Sequence, residues 1–166
     1  IDNRITPVCF DTSADISNPD SDACVQTLRA YIERAAAFRT PFVRVHTRTD
    51  GIDCFDTVCA NIALLLPYAE QMGVTLLLET AGCFAHTDNL REILNRFASD
   101  SLGALWDMYN TCFEAKETPE TTITNLGAYV KHVHVRDAKD GEYCFMGEGD
   151  LPMQELIGAL SSVNYD

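Results

Sequence analysis

The sequence predicts an α/β chain built on a parallel sheet, and three observations carry that expectation. Strand-like runs alternate with longer helix-patterned segments along the chain, the order that packs helices onto parallel strands. Three of those runs carry metal-ligand residue types at one end: Leu76-Leu77-Leu78 closes on Glu79, Ala104-Leu105-Trp106 closes on Asp107, and Val133-His134-Val135 contains His134. These residues stand 28 and 27 positions apart, about the length of a strand, a helix and two short loops. Each therefore marks the same end of its strand. In a (βα)8 TIM barrel those strand ends form the mouth of the active site.

Taken in order, strands are expected over 5–10, 42–46, 74–79, 103–107 and 130–135. Helices are expected over 22–38, 54–72, 89–98, 119–129 and 152–162. Thr118 ahead of Pro119, and Asp150 ahead of Pro152, are cap and first-turn residue types, while Gly73 stands where a helix C-terminus is expected. Alternate strand residues point to opposite faces. One face collects Val43, Val45, Leu76, Leu78, Ala104, Trp106, Val133 and Val135, and should pack on helices. The other collects Arg44, His46, Glu79, Asp107, His132, His134 and Arg136. Parallel strands are normally apolar on both faces, so the polar face departs from expectation at the strand ends where a barrel gathers its catalytic groups. Eight strand–helix units need about 250 residues, and the chain has 166. The expectation is a partial barrel of about five parallel strands with flanking helices, forming one incomplete domain over residues 1–166.

Composition narrows the function classes. With 46% hydrophobic and 22% charged residues the chain reads as an ordinary globular domain. A net charge of −13 repels a phosphate backbone, so nucleic acid is not an expected partner. No apolar run approaches the roughly 20 residues a bilayer requires, and Ile1-Asp2-Asn3-Arg4 lacks the pattern of a secretory signal. Seven cysteines without a C-x-x-C pair fit reduced thiols in the cytoplasm.

A Glu, an Asp and a His converging on one point suit Mn²⁺, Mg²⁺, Co²⁺ or Zn²⁺. Such a site would polarise a carbonyl and acidify the neighbouring C–H for removal by a carboxylate, giving an ene-diolate. Arg44 and His46 could touch substrate hydroxyls or a phosphate, or simply pair with the inner carboxylates. His132 fits a packing or supporting role beside the site better than a ligand role. His86 is expected to lead into a helix, and Gly147-Glu148-Gly149-Asp150 to be a turn before the last one. Cys83 and Cys112 lack the adjacent base that marks a nucleophile. The carboxylates from Asp137 to Asp150 otherwise form a solvated acidic loop.

With these residues in view, the chain resembles the sugar phosphate isomerase/epimerase family of xylose-isomerase-like TIM barrels. The motifs are Leu76-Leu77-Leu78-Glu79-Thr80, Leu105-Trp106-Asp107, the run from Val130 to Asp137, and Gly147-Glu148-Gly149-Asp150-Leu151-Pro152. The resemblance implies that Glu79, Asp107 and His134 bind a divalent ion, that Glu79 also exchanges a proton, and that a fourth ligand, a glutamate, stands on an eighth strand. It further implies that strands three to seven are present, with one, two and eight missing. Arg44, His46, Asn110, His132, Arg136 and Asp137 are the expected substrate contacts, on a small sugar or sugar phosphate, with a homo-oligomer as a possible assembly. Asn110 and Ala81 stand where the family often has histidines, which removes imidazole chemistry at both. The chain by itself is expected to be weakly active or inactive. Two alternatives remain at this point: a metal phosphodiesterase resembling the apurinic-site endonucleases, and a non-catalytic fragment that self-associates through its sheet edges.

Overall fold

A computed structural model describes residues 4–47 and 54–165. Five parallel strands form one sheet in chain order: β1 (Cys9–Asp15), β2 (Phe42–His46), β3 (Thr75–Glu79), β4 (Leu102–Asp107) and β5 (Val130–His134). Between them run α1 (Ser21–Phe38), α2 (Phe55–Met72), α3 (Thr87–Phe97) and α4 (Pro119–Leu126). A two-stranded antiparallel ribbon, β6 (Asp137–Lys139) and β7 (Glu142–Cys144), follows β5 and precedes α5 (Met153–Ser162). The sheet with its flanking helices is part of a TIM barrel.

Most elements lie where the periodicity predicts, with two corrections. The first strand runs Cys9–Asp15 rather than 5–10. Its polar second half is strand because it pairs with β2, Cys9 opposite Phe42 and Asp11 opposite Arg44, and because the Thr12 hydroxyl donates to the Arg44 carbonyl at 3.0 Å. Asp150 does not cap α5. The residue before that helix is Pro152, and the Asp150 N–H instead donates to the Ala138 carbonyl at 2.8 Å. Thr118 does cap α4, accepting from the Thr121 N–H at 3.2 Å, and Gly73 ends α2 with φ +67°.

The main core lies between sheet and helices. Val43, Val45, Leu76, Leu78 and Ala104 pack there against Leu28, Ile32, Ile62, Leu65, Leu90 and Ile93, as parity requires, whereas Val135, expected on the same face, lies past the end of β5, exposed and lining the cleft. Trp106, Met108, Leu151 and Leu156 form a second cluster beneath α5. The Trp106 indole N–H donates to Thr111 at 2.9 Å, which satisfies the polar atom of this buried ring.

Sheet register decides which residues meet at the mouth. Between β4 and β5 the pairing slips by one residue: Ala104 faces Val130, whereas Leu105 faces His132 and Asp107 faces His134. Lys131 is the extra residue of this bulge. Gly103 accommodates it, since a Cβ there would come within 2.7 Å of the Lys131 side chain. Without the slip Asp107 would lie beside Val133, and the histidine would be out of phase with the carboxylate.

Candidate metal centre and cleft

Glu79 ends β3 and Asp107 ends β4, two residues beyond the fully buried Leu77 and Leu105 on the same face of their strands. Both carboxylates are almost wholly buried, at 3% and 2% exposure, and buried charge requires partners. One ligand atom from each of Glu79, Asp107 and His134 lies within 4.8 Å of the others. Around them opens a cleft of ≈ 650 Å³, lined among others by Arg44, His46, Asn110, Glu114, His134 and Arg136.

Each carboxylate is paired with its own arginine. Arg44 donates one Nη2 hydrogen bond to Glu79 Oε2 and reaches Asp11 Oδ1 through Nη1 at 2.8 Å. On the other side of Glu79, His134 Nδ1 lies 3.2 Å from Oε1. Burial works to raise the Glu79 carboxyl, but the hydrogen bonds from His134 and Arg44 outweigh it and hold the group below the usual carboxylate range. Glu79 is therefore an anion at neutral pH.

Asp107 is held equally firmly. Arg136 Nη2 forms an ion pair with its Oδ2 at 2.9 Å, and the Asn110 N–H donates to its Oδ1 at 3.0 Å. The Asp107 N–H donates to the Thr80 hydroxyl at 2.8 Å, which ties the tip of β4 to that of β3. After β4 the chain turns through a π-helical segment, Asn110–Glu114, a wide turn often found beside functional sites.

The expected substrate contacts divide into two groups. Arg44, His46, Asn110 and Arg136 line the cleft. Arg44 pairs with Glu79, one of the two roles open to it, and Arg136, expected only as a substrate contact, pairs with Asp107. His46 Nε2 approaches Asp11 Oδ1 at 3.3 Å. His132 sits lower on β5, its ring 6.1 Å from that of Phe42 and 5.5 Å from that of His134. Burial, and secondarily the charge of His134, depress its basicity.

Asp137 departs from expectation as a substrate contact. It is 1% exposed, and its carboxylate turns away from the cleft to accept from the N–H groups of Ala138, Gly147, Gly149 and Leu151 at 2.9 to 3.2 Å. With its oxygens so filled, it holds the 147–151 loop. His86 precedes α3 without making a cap hydrogen bond. None of the seven cysteines is in a disulfide, Cys54 and Cys83 standing Sγ to Sγ at 3.4 Å, and burial pushes the Cys112 thiol up, away from nucleophilic reactivity.

Three supporting residues escaped the reading of the sequence. Asp11 was hidden in the polar half of β1, although it is the register partner of Arg44. Tyr109 and Tyr143 lie beside the Arg136 guanidinium, with ring centres 4.8 and 5.4 Å from its carbon. An Asp140-Gly141 pair, a strong hairpin signal, could have placed Tyr143 beside the site in advance.

The sequence profile described as the xylose isomerase-like TIM barrel matches residues 2–166. The chain belongs to this family. Among curated members of known sequence, the xylose isomerase-like chain is 27% identical over 113 residues to a fructoselysine 3-epimerase of Escherichia coli O157:H7. That match covers 64% of this chain and 41% of the epimerase, so the chain spans less than half the length of this relative. A D-tagatose 3-epimerase-like protein has a similar structure, with a TM-score of 0.81 at 21% identity over 99% of this chain and 70% of that one. The IOLI protein, solved with a zinc atom, gives a TM-score of 0.78 at 15% identity, covering 98% and 65% of the two chains. At such identities the structural likeness speaks for the fold.

Proposed function

We propose that this xylose isomerase-like protein is a sugar or sugar-phosphate isomerase or epimerase, with Glu79, Asp107 and His134 as ligands for a divalent ion. The observation that carries the reading is the meeting of three donor atoms from successive strands within 4.8 Å, in a polar cleft. Oxygen and imidazole donors bind first-row divalent ions at roughly 2.0–2.2 Å, so donors at these separations need only a small inward movement. The donor set fits Mn²⁺, Mg²⁺, Co²⁺ or Zn²⁺. Bound there, such an ion would supply Lewis-acid polarisation of a hydroxy-carbonyl group.

The chain's own residues support the remaining chemistry. Glu79 stays ionised because His134 and Arg44 hold it so, and a carboxylate in that state can take a proton from the carbon beside a carbonyl. Arg44, Arg136, His46 and Asn110 offer donors along the cleft for sugar hydroxyls or a phosphate. The fructoselysine 3-epimerase relative supports a ketose-like substrate. The same reading takes residues 1–166 as one unit of a family barrel.

The test is calorimetric titration of the metal-free protein with Mn²⁺ alone, beside a ketose epimerisation assay read by proton exchange into solvent deuterium. One saturable site is expected, lost in Asp107→Ala and His134→Ala, and exchange is expected to vanish in Glu79→Gln. Variants that bind Mn²⁺ as the parent does would overturn the assignment.

A further inference from the structure

The β6–β7 hairpin reaches the candidate centre through one side chain. Tyr143 stands opposite Ala138 in the hairpin register, and its hydroxyl accepts from Arg136 Nη1 at 2.7 Å. The same guanidinium donates through Nη2 to Asn110 Oδ1 at 2.7 Å and forms an ion pair with Asp107 Oδ2 at 2.9 Å. Arg136 is thus held at both Nη atoms, with the rings of Tyr109 and Tyr143 beside it at 4.8 and 5.4 Å and meeting each other edge to face at 5.5 Å. An arginine has a rigid planar fork on a flexible stem. Fixing Nη1 therefore sets the plane in which Nη2 meets Asp107.

Tyr143 is itself 64% exposed, so packing does not explain its position. The hairpin that carries it is stiff for two reasons. Asp140 and Gly141 turn with φ of +53° and +86°, the positive values a two-residue hairpin turn requires. Asp137, at the base of the hairpin, is bound by four backbone N–H groups.

Resting on the metal-site reading above, we propose that Tyr143 is a positioning residue which, through Arg136, orients the Asp107 carboxylate for divalent-cation binding. A partner that fixes a ligand's second oxygen commonly governs affinity for the ion by 10- to 100-fold. Tyr143→Phe keeps the ring over the guanidinium and leaves every charge in place, so it removes the hydrogen bond alone. Tyr143→Ala removes both contacts.

The experiment is Mn²⁺ titration of the metal-free parent, Tyr143→Phe and Tyr143→Ala, with thermal melting of each in chelator. The dissociation constant is expected to rise about 10-fold in Tyr143→Ala and by a smaller factor in Tyr143→Phe, with the metal-free melting temperature of Tyr143→Phe unchanged. Parent-like Mn²⁺ affinity in Tyr143→Phe, or a loss matched by a fall in its metal-free melting temperature, overturns the inference while leaving the site reading intact. Absence of saturable binding by the parent, or undiminished binding by Asp107→Ala, overturns the site reading and this inference with it.

Discussion

Asp137 and Asp107 show how environment gives one residue type two uses. Each is buried, but Asp107 forms an ion pair with an arginine, accepts one backbone N–H and opens on the cleft, whereas Asp137 meets only backbone amides. Burial works to raise the Asp137 carboxyl, and the amides of Gly149, Gly147, Leu151 and Ala138 together outweigh it, leaving the group below the usual range. Because the folded value lies beneath the unfolded one of about 3.9, this carboxylate contributes its full stability above about pH 4 and loses it as pH falls through the folded value. Asp137→Asn places an amide NH2 or a weaker acceptor against the loop N–H groups. Its melting temperature should fall near pH 7, with a shallower decline on acidification than the parent shows. Parallel melting curves from pH 7 to pH 3 would show that the amide cradle contributes nothing. Residue type and interval pointed to Glu79, Asp107 and His134, because donors at equal steps along a strand–helix repeat recur at one end of the sheet. Arg44 was legible only as two open roles and Arg136 only as a substrate contact, since a guanidinium on a polar face can reach either a carboxylate or a substrate.

At the scale of elements, the clearest lesson lies in the Gly147 to Asp150 segment. Read alone, it is a turn leading to a helix. In the fold, its backbone wraps the Asp137 carboxylate so closely that a Cβ on Gly149 would fall 2.0 Å from Asp137 Oδ1 and 2.6 Å from the Ala138 carbonyl oxygen. Both atoms belong to buried structure with no room to retreat. Gly149→Ala should therefore cost about 1–3 kcal/mol, the scale of overpacking a filled site. Denaturant unfolding measures this directly, and an unchanged midpoint would mean that the loop moves freely. Helices α1 to α5 were legible because their apolar periodicity is local. The second half of β1 was not, for its residues gain strand character only by pairing with β2, 33 positions away at Asp11 and Arg44. The hairpin was missed because its acidic residues outweighed the Asp-Gly signal between them.

For the whole molecule, charge and sheet order govern what the protein meets. At −13, it should bind neither intact nor abasic duplex DNA even at low ionic strength. Gel-shift and cleavage assays at about 20 mM salt, where attraction to phosphate would be longest in range, check this. Binding that tightens as salt is withdrawn would favour the phosphodiesterase alternative over a sugar enzyme. Among the described residues no helix is long and apolar enough to cross a membrane. The five-stranded sheet follows chain order from β1 to β5, the arrangement that alternating strands and helices predict. By itself, the sequence determined the α/β class, the parallel order, the apolar helix-facing layer and the recurring donor positions, because each depends on period and interval along the chain. Only the tertiary structure decided the one-residue slip at Lys131 that brings His134 into phase with Asp107. It alone also decided which cation fills each carboxylate's lone pairs and which acid serves the loop instead of the cleft. Those outcomes depend on contacts between residues distant along the chain, and no local pattern records them.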